Sequence, residues 1–494
     1  MKDTTQKKIS DYATRWQLVR DFTEGARKVR DAGETYLPLA AKDQDPKAYT
    51  AYKDEVTFHP ATGRVLSGLA GIILAKPYSM EAPQSVLALM DSLSYDGESF
   101  ADIVEWSIRE TLGPSYGGIL IDFPTGEQPV NAQDELEQGF RPMVSIYAAE
   151  KIMWVERARI RNRNMLTYVQ LQEEDETRRV LKLVDNVYQV EVWRNDGSGY
   201  KLAEAYTPTR LGETIDQIPF EVLTPMAGSI HPTKPLLEDV AELNLDHYRV
   251  QGRLTYIHYW QSMAVLYVTG VEAPKQAPAP AEAPTVEGST ELSNRGFAYE
   301  DGDDRDDGFK VGGPEAWVLT DAQSKVAYAE FSGAGVQSLE RKAAAIEDRI
   351  AKVGAQILAS EKADAESETV VAMRQEAQYS SLATTTRTLS RKLQNVVRWV
   401  AWWMGEDEKK ITFSLNTDFR VSSLTDTMLT NIRGMKQTGD MSDETFFYLC
   451  QRGGIYPESL TYEEERTRRD EDALRNPEDD GFNTDKADVG SLDE

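Results

Sequence analysis

Cysteine and histidine are scarce in this chain of 494 residues. The single cysteine, Cys450, excludes an internal disulfide and any zinc site built from several cysteines, and it fits a reducing compartment. Of the four histidines, His247 and His258 lie on one predicted helix, about three turns apart and too far to bind one ion together. We expect the histidines to pack or to face solvent, and we expect no metal and no cofactor.

Long apolar runs and nucleotide-binding loops are also missing. The longest apolar runs, such as 72–75 and 399–404, are far shorter than the ~20 residues that span a bilayer. The N-terminal segment has no apolar core of a secretory signal. No G-x-x-x-x-G-K-[ST] loop or H-E-x-x-H motif occurs. The sequence predicts a soluble intracellular protein with no membrane partner, and it excludes a P-loop motor.

Basic residues are fewer than acidic residues in this chain. The chain has 55 Lys and Arg against 82 Asp and Glu, a net charge of −27. Tight binding to any DNA sequence needs basic side chains that displace counterions from phosphates, so this balance argues against it. A conduit for DNA is still compatible with it, because an acidic lining repels the DNA backbone. The acidic run at 300–307 does not match a calcium-binding loop, since Arg305 and Pro314 occupy ligand positions.

Two helical segments with a narrow apolar stripe dominate what is present. Their apolar side chains recur at spacings of three and four, which is typical of a helix that packs along one line against a neighbour. In the first segment they are Val336, Leu339, Ala343, Ile346, Ile350, Val353 and Ile357. In the second they are Leu382, Thr386, Leu389, Leu393, Val396, Val400 and Trp403. Neither segment carries a set of catalytic residues, so the sequence indicates an assembly component and not an enzyme.

The first half of the chain changes from helical to strand-rich near residue 117. The pattern predicts an amphipathic helix over 11–31, a helix over 62–75, and a helix from the N-cap Ser99 to residue 112. A further helix is predicted over 236–260. Between them, runs of β-branched and aromatic residues predict antiparallel strands at 119–123, 143–147, 166–171, 180–184 and 187–193. The expected fold class is therefore α+β.

The second half opens with an unusual segment, 271–316. It contains a Pro-rich tract at 273–284 and the acidic run, and strand-like residues flank it at 265–268 and 317–319. We predict a small protruding domain there. The remaining predicted features, in chain order, are a polar break at 360–369, a strand over 411–415, a helical region over 423–452 and an acidic tail.

Two clusters of side chains could contact nucleic acid. The first is a row of arginines at alternate positions, which would share one face of an extended strand: Arg157, Arg159, Arg161 and Arg163. This row could grip phosphate, but pairing with acidic residues of an adjacent chain, or with 173–175 across a hairpin, is favoured. The second cluster is Trp399, Trp402 and Trp403, which could stack on bases. Their helical spacing favours core packing instead.

The first striped helix also carries charges of both signs. Its basic residues Arg341, Lys342, Arg349 and Lys352 alternate with Glu340, Glu347 and Asp348. Such a mixture is typical of a helix that packs against copies of itself in a ring. The residues assigned to contacts between subunits are Arg341, Lys342, Ile346, Arg349, Ile350 and Val353.

Short motifs follow one another in a specific order over about residues 10–465. In the first half they are Tyr12, Trp16, Arg20-Asp21, Gly25, Gly33, Tyr36-Leu37-Pro38, Tyr49, Tyr52, Phe58, Arg64, Gly68-Leu69, Lys76-Pro77, Asp96-Gly97, Tyr116-Gly117-Gly118 and Ile121-Asp122. In the second half they are Phe331-Ser332-Gly333, Val353-Gly354-Ala355, Glu368-Thr369, Phe413, Asn416, Asp418-Phe419 and 439–442. With the order of parts, these motifs resemble the portal (head-to-tail connector) proteins of tailed bacteriophages. The Pro-rich tract and the acidic loop depart from that pattern.

The resemblance implies an architecture of named parts assembled as a ring. The parts are an N-terminal wing (1–232), stem helix 1 (233–262), a clip (263–328), stem helix 2 (329–358), a tunnel loop with a long wing helix and a strand (359–420), and a helical crown with the acidic tail (421–494). The tunnel loop would present Glu361, Lys362, Asp364, Glu366 and Glu368 to the channel.

The resemblance also implies partners and a location. The ring, usually of twelve subunits, would assemble in the host cytoplasm and occupy one capsid vertex of the virion. Double-stranded DNA would pass through its channel during packaging and ejection. The major capsid protein, terminase and a head–tail adaptor would bind it. Cyclic closure needs a different surface on each side of every subunit, and the mixed charges of the stem helices suit that need.

Two readings from other classes stay open. A magnesium-dependent nucleic-acid-processing enzyme would need clustered carboxylates near a basic groove, whereas the acidic runs fall in loop-like segments. A coiled-coil scaffold protein would account for the striped helices but would leave the strand-rich region unexplained.

Overall fold

The computed structural model describes residues 1–2, 4–40, 44–122, 141–174, 176–210, 213–262, 265–269, 325–329, 334–358, 368–417, 419, 426–457 and 460–475. Within these ranges the α-helices are α1 (Lys7–Ser10), α2 (Ala13–Glu24), α3 (Ala26–Asp31), α4 (Pro46–Glu55), α5 (Ala61–Leu74), α6 (Gln84–Leu87), α7 (Phe100–Leu112), α8 (Glu238–Ser262), α9 (Ala334–Leu358), α10 (Glu368–Trp403), α11 (Asp426–Gln437), α12 (Asp443–Arg452) and α13 (Tyr462–Arg475).

The strands are short and pair in antiparallel ladders. They are β1 (Ser79–Glu81), β2 (Gly117–Asp122), β3 (Met143–Ala148), β4 (Ile152–Ile160), β5 (Arg163–Gln172), β6 (Thr177–Val184), β7 (Val187–Asn195), β8 (Tyr200–Tyr206), β9 (Thr209–Arg210), β10 (Glu213–Thr214), β11 (Phe220–Leu223), β12 (Val265–Thr269), β13 (Lys325–Ala329) and β14 (Thr412–Ser414). The larger sheets have the orders β4-β5-β6-β7-β8 and β11-β2-β3. This mixture of helices and antiparallel sheets confirms the α+β prediction.

Turn chemistry builds the five-stranded sheet. Asp185 and Asn186 join β6 to β7 with φ of +50° and +64°, a left-handed conformation that Asp and Asn tolerate better than most residues. Along β7, Tyr188, Val190 and Val192 are buried at alternate positions while the residues between them are partly exposed. This period of two places one face of the sheet against apolar residues and leaves the other face partly hydrated.

The N-terminal helices follow the predicted pattern with one difference. Ser99 caps α7, because its Oγ accepts a hydrogen bond from the Asp102 backbone N–H and the Asp102 side chain accepts one from the Ser99 N–H in return. The predicted single helix over 11–31 is wrong, since Gly25, with φ of +107°, separates α2 from α3. A glycine tolerates that backbone conformation because it has no Cβ atom.

A partly buried charge network connects α2 to the rest of the first half. Arg20 donates to both carboxylate oxygens of Glu110 on α7, at 2.6 and 3.2 Å, and to Glu150. Burial raises the pKa of Glu110, and the Arg20 guanidinium opposes that rise. Beside it, the Tyr36 hydroxyl donates to Asp21 at 2.7 Å. Both residues of the Arg20-Asp21 motif therefore make contacts that stabilise the fold.

One large apolar core, called the main core below, contains residues from position 9 to position 419. It contains Trp16 and Phe22 of α2, Ile103 of α7, and Leu393 and Val400 of α10. β1 pairs with β14, with Met80 opposite Phe413, so segments more than three hundred residues apart in sequence complete the same core. The chain between them leaves this core through α8 and returns through α10.

The C-terminal helices form a smaller aromatic cluster. Phe447 of α12 lies 5.0 Å from Tyr456 and 5.7 Å from Tyr462, measured between ring centroids. The helical region predicted over 423–452 is divided into α11 and α12 at Gly439, whose φ is +80°. The single cysteine, Cys450, is buried on α12.

Candidate subunit interface on a helix pair

Helices α8 and α9 pack side by side and run in opposite directions. The paired strands β12 and β13 lie between them in the chain, and Val265, just after α8, pairs with Ala329, just before α9. The end of α8 therefore lies close to the start of α9, and the two helices, called the helix pair below, must run antiparallel to stay in contact. The strand predicted at 265–268 is confirmed, whereas the predicted strand at 317–319 and the Pro-rich and acidic segments lie outside the described residues.

The apolar stripe of α9 is buried, as the sequence predicts. Val336, Ala343, Ile346 and Ile350 are each 4–7% exposed and form a cluster of their own with Val250 and Leu254 of α8 and Ala61 of α5. Val353 is half-buried and packs against the main core. The burial of Ile346 and Ile350 is thus accomplished within one chain. Their assignment to contacts between subunits stays a prediction.

A histidine and a carboxylate fix the register of the helix pair. Nε2 of His247, a residue 2% exposed on α8, lies 2.8 Å from a carboxylate oxygen of Glu347 on α9. The ring of His59 packs edge-on against His247, with centroids 5.6 Å apart. Burial lowers the pKa of His59, His247 adds to that effect and Glu347 opposes it. His247 packs, as predicted. No spacing in the sequence predicts its contact with Glu347, a hundred positions away.

The outer surface of α9 is charged. The neighbouring helix α8 also has exposed charges, which the sequence analysis did not single out. On α9, Arg341, Lys342 and Arg349 are exposed and form no ion pair with any described residue, while Lys352 contacts Asp348 at 2.6 Å. On α8, the exposed acidic residues are Asp239, Glu242 and Asp246. Their spacings of three and four, visible in the sequence, would have placed them on one side of a helix.

The second apolar stripe serves a different purpose from the first. Leu389, Leu393, Val396 and Val400 of α10 lie in the main core, and so do their neighbours Val397 and Ala401. The buried side of α10 is therefore wider than the narrow stripe predicted. Trp403 is buried and Trp399 and Trp402 pack against the main core, which confirms the expectation of core packing for these tryptophans.

The arginine row does not lie along one strand. Arg157 and Arg159 belong to β4, but Arg161 sits in the turn with φ of +45° and Arg163 begins β5. The prediction that all four share one strand face is therefore wrong, because the turn at Arg161 and Asn162 reverses the chain. The four arginines lie around an exposed hairpin tip. Arg157 donates to the Gly228 carbonyl at 2.6 Å, and Glu173 binds Arg179 instead of this row.

The tunnel-loop candidates are mostly outside the described residues. Glu361, Lys362, Asp364 and Glu366 fall in 359–367, between the end of α9 and the start of α10. Glu368 is the first residue of α10. Their role in lining a channel stays a prediction.

A polar cavity between β11 and α10 offers little for metal chemistry. It has a volume of about 300 Å³ and is lined by residues that include Glu221, Asn395 and Arg398. Burial raises the pKa of Glu221 to about 7, although Lys392 favours its ionised form. Within the ranges that the structure describes, no three His, Cys, Asp or Glu side chains are placed to hold a metal ion. No helix in those ranges is long and apolar enough to cross a membrane.

One family model matches the part of the chain that contains the helix pair. Residues 235–404, about a third of the chain, match a family described as a domain of unknown function, DUF4055. This range covers α8, β12, β13, α9 and α10. No curated protein matches the chain significantly.

Among solved structures, the chain is similar to one titled "Neck of empty GTA particle computed with C6 symmetry", with 12% identity, a TM-score of 0.39, and coverage of 82% of this chain and 92% of that chain. It is similar to "Virion of native gene transfer agent (GTA) particle", with 12% identity, a TM-score of 0.38 and coverage of 84% and 96%. It is also similar to "Neck of native GTA particle computed with C12 symmetry", with 14% identity, a TM-score of 0.35, and coverage of 79% of this chain and 89% of that chain.

Proposed function

We propose that this chain is the subunit of a portal ring, which sits at one vertex of a phage-like capsid and conducts double-stranded DNA during packaging and ejection. One observation carries the proposal. The chain leaves the main core through α8, continues into the paired strands β12 and β13, returns antiparallel through α9, and then completes the same core with α10. This matches the order wing, stem, clip, stem, wing that the resemblance to portal proteins implies.

The physical properties of the helix pair suit a ring of copies. A ring needs two different surfaces on each subunit, one for the neighbour on either side. The helix pair supplies two helices with different charge on their exposed residues, acidic on the first half of α8 and of mixed sign on α9. Its apolar residues are already buried in the subunit, so a single chain can fold before it assembles.

The proposed conduit would hold DNA weakly. With a net charge of −27 on each subunit, the ring would repel the phosphate backbone, and passage would meet little electrostatic friction. Terminase, the major capsid protein and a head–tail adaptor are the partners that this function requires. We propose no catalytic role for the chain.

Negative-stain imaging and native mass spectrometry of the purified protein test the proposal. We expect rings with a central hole and, for twelve copies of the 55.5 kDa chain, a mass of about 670 kDa. A chain that stays monomeric at micromolar concentration, even when it is co-produced with its capsid partners, would overturn the proposal.

A further inference from the structure

Two stripes of opposite charge lie on exposed flanks of the helix pair. The acidic stripe is Asp239, Glu242 and Asp246 on α8, and the basic stripe is Lys342, Arg349 and Lys352 on α9. At about 100° per residue, Arg349 lies nearly opposite Glu347, the residue through which α9 contacts His247. By the same measure, Asp246 and Glu242 lie about 100° and 140° around α8 from His247.

The side chains at the centre of these stripes have no carboxylate or cation partner of their own. Glu242, Asp246 and Arg349 are exposed and form no ion pair with any residue in the described ranges, while Lys352 has only the exposed Asp348 one turn away on its own helix. Each stripe is exposed at the surface of its own helix, so its side chains are available to a second molecule.

The two stripes lie at the same level along the helix pair. The contact between His247 and Glu347 fixes the register, and antiparallel helices rise by about 1.5 Å per residue. Asp246 is then level with position 348 and Glu242 with position 352, so both carboxylates lie within about one helical turn of the levels of Arg349 and Lys352. Further along, Arg253 of α8 is level with Arg341 of α9, where the charges are alike.

We propose that Glu242 and Asp246 of one subunit pair with Arg349 and Lys352 of the next subunit around the ring. The occupant of each stripe is thus a second copy of this chain. The inference rests on the proposed ring, because rotation about a ring axis along the helix pair carries a residue around the axis without changing its level. Groups that are level with one another in one chain are then level between neighbours. The contact uses a different surface on each side, which closes a ring.

Charge reversal tests this contact with two complementary variants. Variant one carries Glu242→Lys and Asp246→Lys, so both of its stripes are basic, and variant two carries Arg349→Glu and Lys352→Glu, so both are acidic. Each variant alone places like charges at every contact, and we expect about tenfold or greater loss of assembled rings. A mixture of the two in equal amounts should recover rings, because the subunits can alternate around an even-numbered ring with opposite charges at every contact.

A matched control carries Lys7→Glu and Lys8→Glu on α1, two exposed lysines outside the helix pair. It makes the same change of charge away from the proposed contact, so it should not reduce ring formation. Circular dichroism should show wild-type helix content for every variant, since all the altered side chains are exposed. If a variant proves unfolded, the single changes Asp246→Lys and Arg349→Glu replace the double ones.

The outcomes separate this inference from the proposed function. A wild-type protein without rings would refute the proposed function. If the wild type forms rings and each variant alone also assembles normally, the charge pairing is refuted and the proposed ring is retained. The same conclusion follows if the variants fail alone and do not recover on mixing. Failure of each variant alone, recovery on mixing, and high-salt weakening of the wild-type ring would support it.

Discussion

At the scale of single residues, Gly118 leaves room for an aromatic ring in the middle of the three-stranded sheet. A Cβ atom at this position would lie 2.2 Å from Cζ of Phe220, whose ring is buried in the main core. We therefore expect Gly118→Ala to lower the free energy of unfolding by about 1–3 kcal/mol, because the ring has to move inside a packed core. Thermal unfolding followed by circular dichroism measures the effect.

Gly71 provides the opposite case for the same substitution. It lies on the exposed side of α5, and a Cβ there would meet nothing within 4 Å. Gly71→Ala should raise the free energy of unfolding by about 0.5–1 kcal/mol, since alanine has the higher helix propensity. Equal effects of the two substitutions would show that Phe220 does not occupy the space over Gly118.

His59 gives the helix pair a dependence on pH. Its pKa is lowered in the folded chain, chiefly by burial, so the unfolded chain binds a proton more readily than the folded chain. Stability should therefore fall as the pH drops through about 6.5, the ordinary pKa of histidine. His59→Gln should make thermal stability less sensitive to acidification between pH 7.5 and 5.5.

The exposed His258 on α8 provides a control for that measurement. His258→Gln should leave the pH profile of the wild type unchanged. A His59→Gln protein that loses stability on acidification as steeply as the wild type would exclude His59 as the source of the effect.

Local residue roles were predictable where the determining interaction is close in sequence. Ser99 was recognisable as an N-cap because its partner, Asp102, lies three residues away. The contact between His247 and Glu347 was not, because the two residues meet only after a hundred intervening residues have folded. The spacing of the acidic stripe on α8 was visible in the sequence. Whether that stripe is exposed depends on which side of α8 other elements cover, and the spacing does not predict this.

At the scale of elements, the contact between α8 and α9 depends on the apolar stripe of α9. Ile350 is 4% exposed and lies between the two helices. Ile350→Asp should separate the helices and abolish assembly, because burial of an unpaired carboxylate costs several kcal/mol. Hydrogen exchange of α8 and α9 and the mass of the assembled particle measure the two effects.

Ile350→Val is the matched control, because it removes one methylene group and keeps the site apolar. It should cost only about 1 kcal/mol and leave rings intact. Normal rings from the Ile350→Asp protein would mean that the stripe has been assigned to the wrong contact.

Element boundaries followed the sequence where caps and turns are strong. The prediction of α7 was accurate at both ends, whereas Gly25 and Gly439 each divide a helix that the apolar pattern treats as continuous. The pairing of β1 with β14 had no local signal, because a three-residue strand is defined by its distant partner. The buried side of α10 is likewise wide because a sheet and other helices pack around it. The apolar stripe of α10 alone does not predict how many neighbours cover the helix.

At the scale of the whole molecule, the predicted tunnel loop can be separated from assembly. Its candidate residues, Glu361, Lys362, Asp364, Glu366 and Glu368, supply four carboxylates and one ammonium group. Deletion of 362–367 should leave the number of subunits in the ring unchanged, because the buried residues of the helix pair precede this segment. DNA packaging, or retention of DNA in the capsid, should be impaired.

Packaging at the wild-type level by the deletion variant would remove this segment from the mechanism. A separate measurement addresses the idea of low friction. The intact ring should bind duplex DNA weakly, and any binding should weaken further as salt increases. Tight binding that is insensitive to salt would contradict it.

The pairing of β1 with β14 has a consequence for how the chain is made. Synthesis proceeds from the N-terminus, and α7 with the three-stranded sheet emerges long before Leu393, Val400 and Phe413 that cover them. A nascent chain therefore exposes apolar surface until nearly the whole polypeptide has left the ribosome. Closing so long a loop is slow, which makes the unfinished subunit a substrate for chaperones and a target for aggregation.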